Sequence, residues 1–474
     1  MKHSYFTFLF AFGIAIWLSA AAWGPPLQAN TVDLEAREHF RAALRAQKSG
    51  QWDAAVREYQ AALHLEPQMA EAYANLGLVY YLQSKFEKSS QSFAKAAALK
   101  PGLRGADLFL GMDYVHLHRS QNAVPYLTRA AEAEPENKQA QVWLGTALWN
   151  SGERAAALLQ LRKAARLFPT DVDALYALGE AYQKSAEQQL EKLPRKYGQM
   201  LRKGASPQEW KGSGALVPGR PLSGPYEQAL AGFERKDYAA AEAKLTAFLA
   251  ANPKSAKARY LLATTYEHLS LSVLSRMFQL DPDSYRVHQL MGRIDEYKWQ
   301  NEKALAEYRT VEQMRPALPG LHLVIGEVLW REGKLDPALT EFRAEIKLSP
   351  YDARPYAEMG TILVTRHQSA RAIPYLIQAL HLQHDLLLAR KQLGAAYSQQ
   401  KQYAKAEEEL KKALPIDHDG SIHYLLGVVY RDSGHPKQAK AEMEKARVIQ
   451  AASERRAEVK TEGAAESKPL NWAR

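Results

Sequence analysis

Cysteine is absent from all 474 residues, and the absence removes several chemistries together. A disulfide framework, a thiolate zinc site, a haem-attachment motif and an acylated lipoprotein cysteine are all excluded. Enzyme motifs are equally scarce. Gly212, Gly214 and Gly219 are not followed by the Lys-Ser/Thr pair that a phosphate loop needs, and neither a Gly-x-Ser-x-Gly elbow nor a His-Glu-x-x-His occurs. His116 with His118, His381 with His384, and His418 between Asp417 and Asp419 each bring at most half of a ligand set, whereas a metal needs three or four converging donors. The expectation is a non-catalytic protein with no cofactor and no metal. Long apolar runs are also missing beyond Leu18, so no internal membrane span is expected.

The N-terminus has a composition of its own. Lys2 and His3 precede an apolar stretch from Phe6 to Leu18, then the small residues Ser19, Ala20, Ala21 and Ala22, and a break at Pro25 and Pro26. That is the layout of a secretory signal peptide over residues 1–29, short for a bilayer span, with an uncleaved anchor and membrane association as the alternative. Cleavage has two candidate positions: after Ala22, with Ala20 as the second small residue, or after Ala29, where Leu27 is less suitable. The expected location is outside the cytoplasm: periplasmic, envelope-associated or secreted.

What fills the rest of the chain is periodic. Pro67, Pro101, Pro135 and Pro169 recur at a constant interval of 34, and Gly77, Gly111, Gly145 and Gly179 repeat that interval ten residues after each proline. Between them, the unit 70–103 carries Tyr73, Leu76, Gly77 and Tyr80, then Phe86, Phe93 and Ala96, ending at Leu99 and Pro101. Glycine lets a paired helix approach, Ala62, Ala96, Ala130 and Ala164 do the same from the other side, and proline stops the second helix. The pattern resembles the tetratricopeptide repeat family. The resemblance implies an all-α, right-handed superhelical solenoid of antiparallel helix pairs.

The same frame gives units at 36–69, 70–103, 104–137 and 138–171, with a further first helix from Val172 to Tyr182. A second run is paced by Pro253, Pro282, Pro316 and Pro350 and by Gly292, Gly326, Gly360, Gly394 and Gly427. The interval from Gly179 to Gly292 is 113, not a multiple of 34, and an insertion with a shortened repeat at 256–284 accounts for the slip. The expected domains are a first array at 30–193, a basic Gly/Pro-rich linker at 194–224, a second array at 225–453 and a charged, disordered tail at 454–474. From Gln183 to Gly224 there are eight Lys or Arg against three Asp or Glu, half of the formal net charge of +10. Lys196, Arg202, Lys203 and Lys211 interleave with Tyr197 and Trp210, which suits either a solvated connector or an anionic surface. No nucleic-acid fold accompanies the charge, so no nucleic-acid partner is expected.

Repeats and linker account for nearly all of residues 36–453, leaving no room for a catalytic domain. In the family that the chain resembles, ligand contacts come from the first helices, which line a concave face. Carried over, those positions place a partner-binding groove for a protein or peptide at Asn75, Tyr81, Phe109, Met112, Trp143, Trp149 and Tyr176. Phe109, Trp143 and Trp149 should form one apolar anchor patch, unless these rings are core. A secondary groove is expected at Arg286, Arg293, Tyr297, Trp330 and Arg331, where guanidinium forks suit carboxylates, the alternative being a solvated helix face. The carboxylate clamp of chaperone-binding members is not expected, because Phe40, Leu44, Gly105 and Phe109 stand where it needs polar residues and only Asn75 matches. The implied role is an interaction scaffold. Two alternatives stand beside it, a regulatory or substrate-presenting subunit of an envelope enzyme or secretion complex, and a binder of anionic surfaces through the linker.

Overall fold

A computed structural model describes residues 31–193 and 224–464. The signal segment with residue 30, all of the linker but Gly224, with its basic and aromatic residues, and residues 465–474 lie outside the described residues. The chain packs as two compact units, Met1–Ala177 and Leu178–Arg474. The described residues are helical, apart from turns and one short 3-10 segment, Leu414–Ile416.

In the first unit α1 (Thr31–Lys48) pairs with α2 (Trp52–Leu65), α3 (Ala70–Leu82) with α4 (Phe86–Leu99), α5 (Ala106–His116) with α6 (Ser120–Ala133), and α7 (Lys138–Asn150) with α8 (Arg154–Leu167). The unit boundary falls inside α9 (Val172–Glu191). In the second unit α10 (Pro225–Glu234) pairs with α11 (Tyr238–Ala251), and the long α12 (Ala256–Leu280) follows. Then α13 (Tyr285–Tyr297) pairs with α14 (Asn301–Met314), α15 (Leu321–Arg331) with α16 (Leu335–Leu348), and α17 (Ala353–Thr365) with α18 (Ser369–Leu382). Finally α19 (Leu387–Gln399) pairs with α20 (Tyr403–Ala413), and α21 (Ser421–Asp432) with α22 (Pro436–Ala464).

One packing rule generates most of these pairs. The first-helix glycine admits a bulky side chain from the second helix: a Cβ on Gly111 would lie 2.4 Å from Leu127, and one on Gly326 would lie 2.5 Å from Phe342. Leu127 and Phe342 are fully buried, and each contributes about 2–3 kcal/mol by leaving water. One turn before the bulky residue stands a small one, Ala123 or Ala338 in these pairs, which brings the helices close. The turn between the helices demands a left-handed residue seven positions after the glycine. Gly152 takes it at φ 92°, whereas Lys401 takes it at 58° with the steric cost that a side chain carries there. Helix starts follow the same period: Asn137 accepts from the Ala140 N–H, and Asp171, one period on, from the Ala174 N–H.

The frame also explains the slip at 256–284, and differently from the sequence expectation. That segment is not a shortened helix pair but a single continuous helix of 25 residues, α12, because it contains neither a glycine nor a proline to break it. A Cβ on Gly179 would meet Leu274 at 2.6 Å, and the Ser270 hydroxyl donates to the Gly179 carbonyl at 2.9 Å. In an uninterrupted repeat the corresponding partners follow closely, as Phe93 does for Gly77 and as Ser89 does in donating to the Gly77 carbonyl. Leu274 and Ser270 stand in the same two relations to Gly179, and both come later than the frame expects by 79. The interval of 113 between Gly179 and Gly292 is one period of 34 plus the same 79. A repeat is therefore split between its two helices, with its second helix supplied by the C-terminal half of α12. The inserted stretch holds α10, α11 and the first half of α12.

The C-terminal segment, expected to fray after a short helical extension, continues α22 to Ala464, because Ala, Glu, Lys and Arg are good helix formers.

Candidate functional site

The proposed groove of the first unit is mostly closed by its own rings. Asn75, Phe109, Met112 and Tyr176 are buried, so a partner cannot touch them without repacking the unit. Asn75 donates from Nδ2 to the Glu71 carbonyl one turn back. Phe109 stacks on Phe93 at a centroid distance of 5.3 Å and meets Tyr81 edge-on at 5.2 Å. Tyr81 on α3 also faces His116 on α5, with 3.3 Å between its hydroxyl and Nε2, and His116 lies 5.2 Å from Trp143 on α7. These rings bridge three successive first helices. Burial holds the His116 imidazole down to about 4, with His118 adding to the effect, and burial pushes the Tyr81 phenol up. Both are neutral at physiological pH.

Phe109, Trp143 and Trp149 all belong to one apolar cluster, but not as an open anchor: Phe109 is buried within it, and the two tryptophans pack half-buried against it. Phe109 is core, and Trp143 reaches it through His116 and Tyr81. Trp149 instead carries the Arg154 guanidinium over its ring at 5.6 Å. Six residues on a helix amount to a turn of about 240° between them, so the two tryptophans point to different sides. Tyr81, Trp143 and Trp149 remain half-buried.

A buried residue that sequence inspection passed over sits beside this cluster. Asp113 is fully buried, and both carboxyl oxygens lack a hydrogen-bond partner among the described residues. Burial raises its carboxyl to about 8, and the Ser89 hydroxyl nearby is already committed to the Gly77 carbonyl. The signal was present in the frame: corresponding positions hold Val79, Ala147, Val328 and Ile362.

The second unit presents a wetter face. On α13 and α15 the positions one, four and five after the glycine fall on one side of the helix, with Glu180 and Gln183 in the same places on α9 and Glu358 two before the glycine on α17. Successive helices are laced across it. Arg293 on α13 pairs with Glu180 on α9 and donates to Gln183 at 3.2 Å, and Arg331 on α15 pairs with Glu296 on α13. Arg286 donates to Gln289 at 2.9 Å and lies over the Tyr285 ring, and Trp330 packs on the core. The guanidinium forks read from sequence as open to a carboxylate are thus engaged within the chain. Sequence inspection missed Glu180, Glu296 and Glu358, whose role depends on neighbours one repeat away. Of the expected residues, Tyr297 is openly exposed at 70 %, and Arg331 is exposed too, although its guanidinium is held by Glu296.

Two carboxylates on this face are left over. Glu327 on α15 and Glu358 on α17 have no ion pair within 4 Å among the described residues. Burial raises Glu327; Glu296 and Asp352 add to that rise, and Arg354 and Arg331 only partly offset it. Burial and the neighbouring Glu327 carry Glu358 up to about 7. Like charges held together and half-desolvated resist ionisation, and a cation placed between them relieves both.

Comparison with known proteins agrees with the repeat frame. A family model described as TPR repeat matches residues 47–84, and two described as tetratricopeptide repeat match 110–172, 144–191 and 226–272, and 70–102, 392–418 and 420–446. DnaJ homolog subfamily C member 3 of Rattus norvegicus is 32% identical over 93 residues, 20% of this chain and 18% of that protein. Tetratricopeptide repeat protein 21B of Mus musculus is 27% identical over 152 residues, 30% of this chain and 12% of that protein. The chain thus spans less than a fifth of the length of these curated relatives. Among solved structures, YrrB, a TPR protein with an unusual peptide-binding site, is 28% identical with a TM-score of 0.31, covering 32% of this chain and 78% of YrrB. Yeast Tom70 is 14% identical with a TM-score of 0.33, covering 92% of this chain and 96% of Tom70.

Proposed function

Because this chain belongs to the tetratricopeptide repeat family, a family of protein–protein interaction scaffolds, we propose that it holds a partner peptide on the first-helix face of its second unit and that the peptide carries lysine or arginine. One observation carries the reading: Glu327 and Glu358 lie half-buried, with no ion pair among the described residues, on a face whose arginines are already engaged. A cationic side chain has an electrostatic reason to enter there, and exposed Tyr297 on the preceding first helix is free to stack on a ligand. Tyr81, Trp143 and Trp149 in the first unit, and Arg286, Arg293, Trp330 and Arg331 in the second, support the faces more than they contact a ligand.

The test is a peptide array of varied charge probed with the full chain. Bound peptides should be enriched in Lys or Arg, and Glu327→Gln with Glu358→Gln should weaken them by tenfold or more. Binding should strengthen from pH 6 to pH 8, because a cation prefers the ionised Glu358 and ionisation becomes easier through about 7. Charge-blind selection, or selection unchanged in the double variant, contradicts the reading.

We further propose export, supported by the basic start, the apolar stretch Phe6–Leu18 and the small residues that follow. Intact-mass measurement of native protein should give a chain beginning after Ala22 or Ala29. Recovery of a chain beginning at Met1 refutes cleavage.

A further inference from the structure

A His–Glu contact recurs in the repeat frame, always joining the first helix to the second at a separation of 19: His39 with Glu58, His288 with Glu307, His322 with Glu341, and His423 with Glu442. Three of these bring together one imidazole and one carboxylate, Glu442 being held from outside by Lys445 as well. The fourth gathers more donors. His322 on α15 places Nδ1 at 2.6 Å from Glu341 Oε2 on α16 and at 3.8 Å from Glu312 Oε1 on α14. One donor atom from each of the three residues lies within 4.8 Å of the other two.

Arg309 organises this group from outside. It donates from Nη2 to Glu341 Oε1 at 2.6 Å and from Nη1 to Glu312 Oε2 at 2.8 Å. It therefore holds the outer oxygen of each carboxylate and leaves the inner ones facing the imidazole. A metal's outer sphere does the same work, fixing ligand orientation through hydrogen bonds.

Glu345 adds an independent sign. It lies one turn after Glu341 and is fully buried; its Oε1 accepts the Gly320 N–H at 2.8 Å and its Oε2 has no partner among the described residues. Its charge reaches His322. The frame does not require an acid there, since equivalent positions hold Ala62, Ala96, Ala379, Ala413 and Ala446. The frame position of Glu312 is likewise apolar at two of the other clasps: Phe278 precedes the His288 pair and Leu414 the His423 pair. Two acids have been added to one clasp of four, and one of them leaves a buried oxygen unsatisfied, which carries a desolvation penalty unless something satisfies it.

We propose that His322, Glu341 and Glu312, with Glu345 behind them, form a binding site for a divalent transition-metal ion. One imidazole nitrogen with several carboxylate oxygens is a donor set that Zn2+ accepts. With the imidazole neutral on the metal, three carboxylates and one guanidinium carry a net charge of −2, which a dication cancels. Sequence inspection does not find the set, because its members come from three helices and follow no ligand spacing.

Zn2+ is titrated into the metal-stripped full chain by calorimetry and by thermal melting, with Mg2+ as the control ion. One Zn2+ per chain should bind and raise the melting temperature by several degrees. Glu345→Ala installs the residue that the frame uses elsewhere, so that variant should fold; it and His322→Gln should each weaken Zn2+ tenfold or more. His423→Gln, which disrupts a clasp without the extra acids, should leave binding unchanged. Absence of binding by folded protein, even at millimolar Zn2+, overturns the proposal. So does binding that His322→Gln leaves unchanged, or that His423→Gln weakens equally.

Discussion

Asp113→Val is expected to stabilise the protein, and to do so more at pH 9 than at pH 5. The carboxyl is fully buried with neither oxygen hydrogen-bonded among the described residues, and its value is raised to about 8 from an ordinary 3.8. Folded chains therefore hold a proton on Asp113 between about pH 4 and pH 8 that unfolded chains release, and stability falls with rising pH across that window. Below it the neutral acid is tolerated; above it the folded state must carry a buried, unpaired charge or keep an unfavourable proton. A shift of this size corresponds to an upper bound of about 6 kcal/mol at pH 9. Valine is what the frame places at Val79 and Val328, so the side chain has a shape that the fold already accepts. Denaturant unfolding of both proteins at pH 5 and pH 9 measures it. A variant less stable than the parent at both pH values would mean that Asp113 has a partner this packing does not account for.

The split repeat predicts energetic coupling between Gly179 and Leu274, distant in sequence and adjacent in the fold. Gly179→Ala drives a methyl group to within 2.6 Å of Leu274 and should cost about 1–3 kcal/mol. Leu274→Ala should cost about 2 kcal/mol by itself. Together they should cost at least about 1 kcal/mol less than the sum, because each removes the other's clash or void. Leu271, earlier on α12, is 47 % exposed, and Leu271→Ala should add to Gly179→Ala without coupling. Additivity of Gly179 with Leu274 to within about 0.5 kcal/mol would deny the pairing and leave α12 without a place in the frame.

Most of the fold is legible in the sequence because a few positions carry it. The first-helix glycine, the bulky residue that fills its notch and the small residue one turn earlier are local, and they recur often enough to fix both period and pairing. Gly179 shows where that reading stops: its partners exist, but the whole insertion displaces them, and nothing local says that Leu274 answers it. The candidate site was less legible for a related reason. Frame position alone cannot distinguish a ring that faces a groove from one that locks neighbouring repeats, and Phe109 and Met112 belong to the second kind. Arg293 and Arg331 looked free because Glu180 and Glu296 lie at least a full repeat away in sequence. Asp113 and Glu345, by contrast, were visible as polar residues at apolar frame positions. Only burial gives that anomaly its energetic weight.

Ligand recognition on the first-helix face of the second unit is tested most directly by hydrogen–deuterium exchange on the full chain, with and without a Lys/Arg peptide chosen from the array. Added protection is predicted in α13, α15 and α17, with little change in their second helices α14, α16 and α18, and with loss of the effect in the Glu327→Gln, Glu358→Gln variant. Protection centred on α3, α5 and α7 around Tyr81, Trp143 and Trp149, or on the second helices instead, would contradict it.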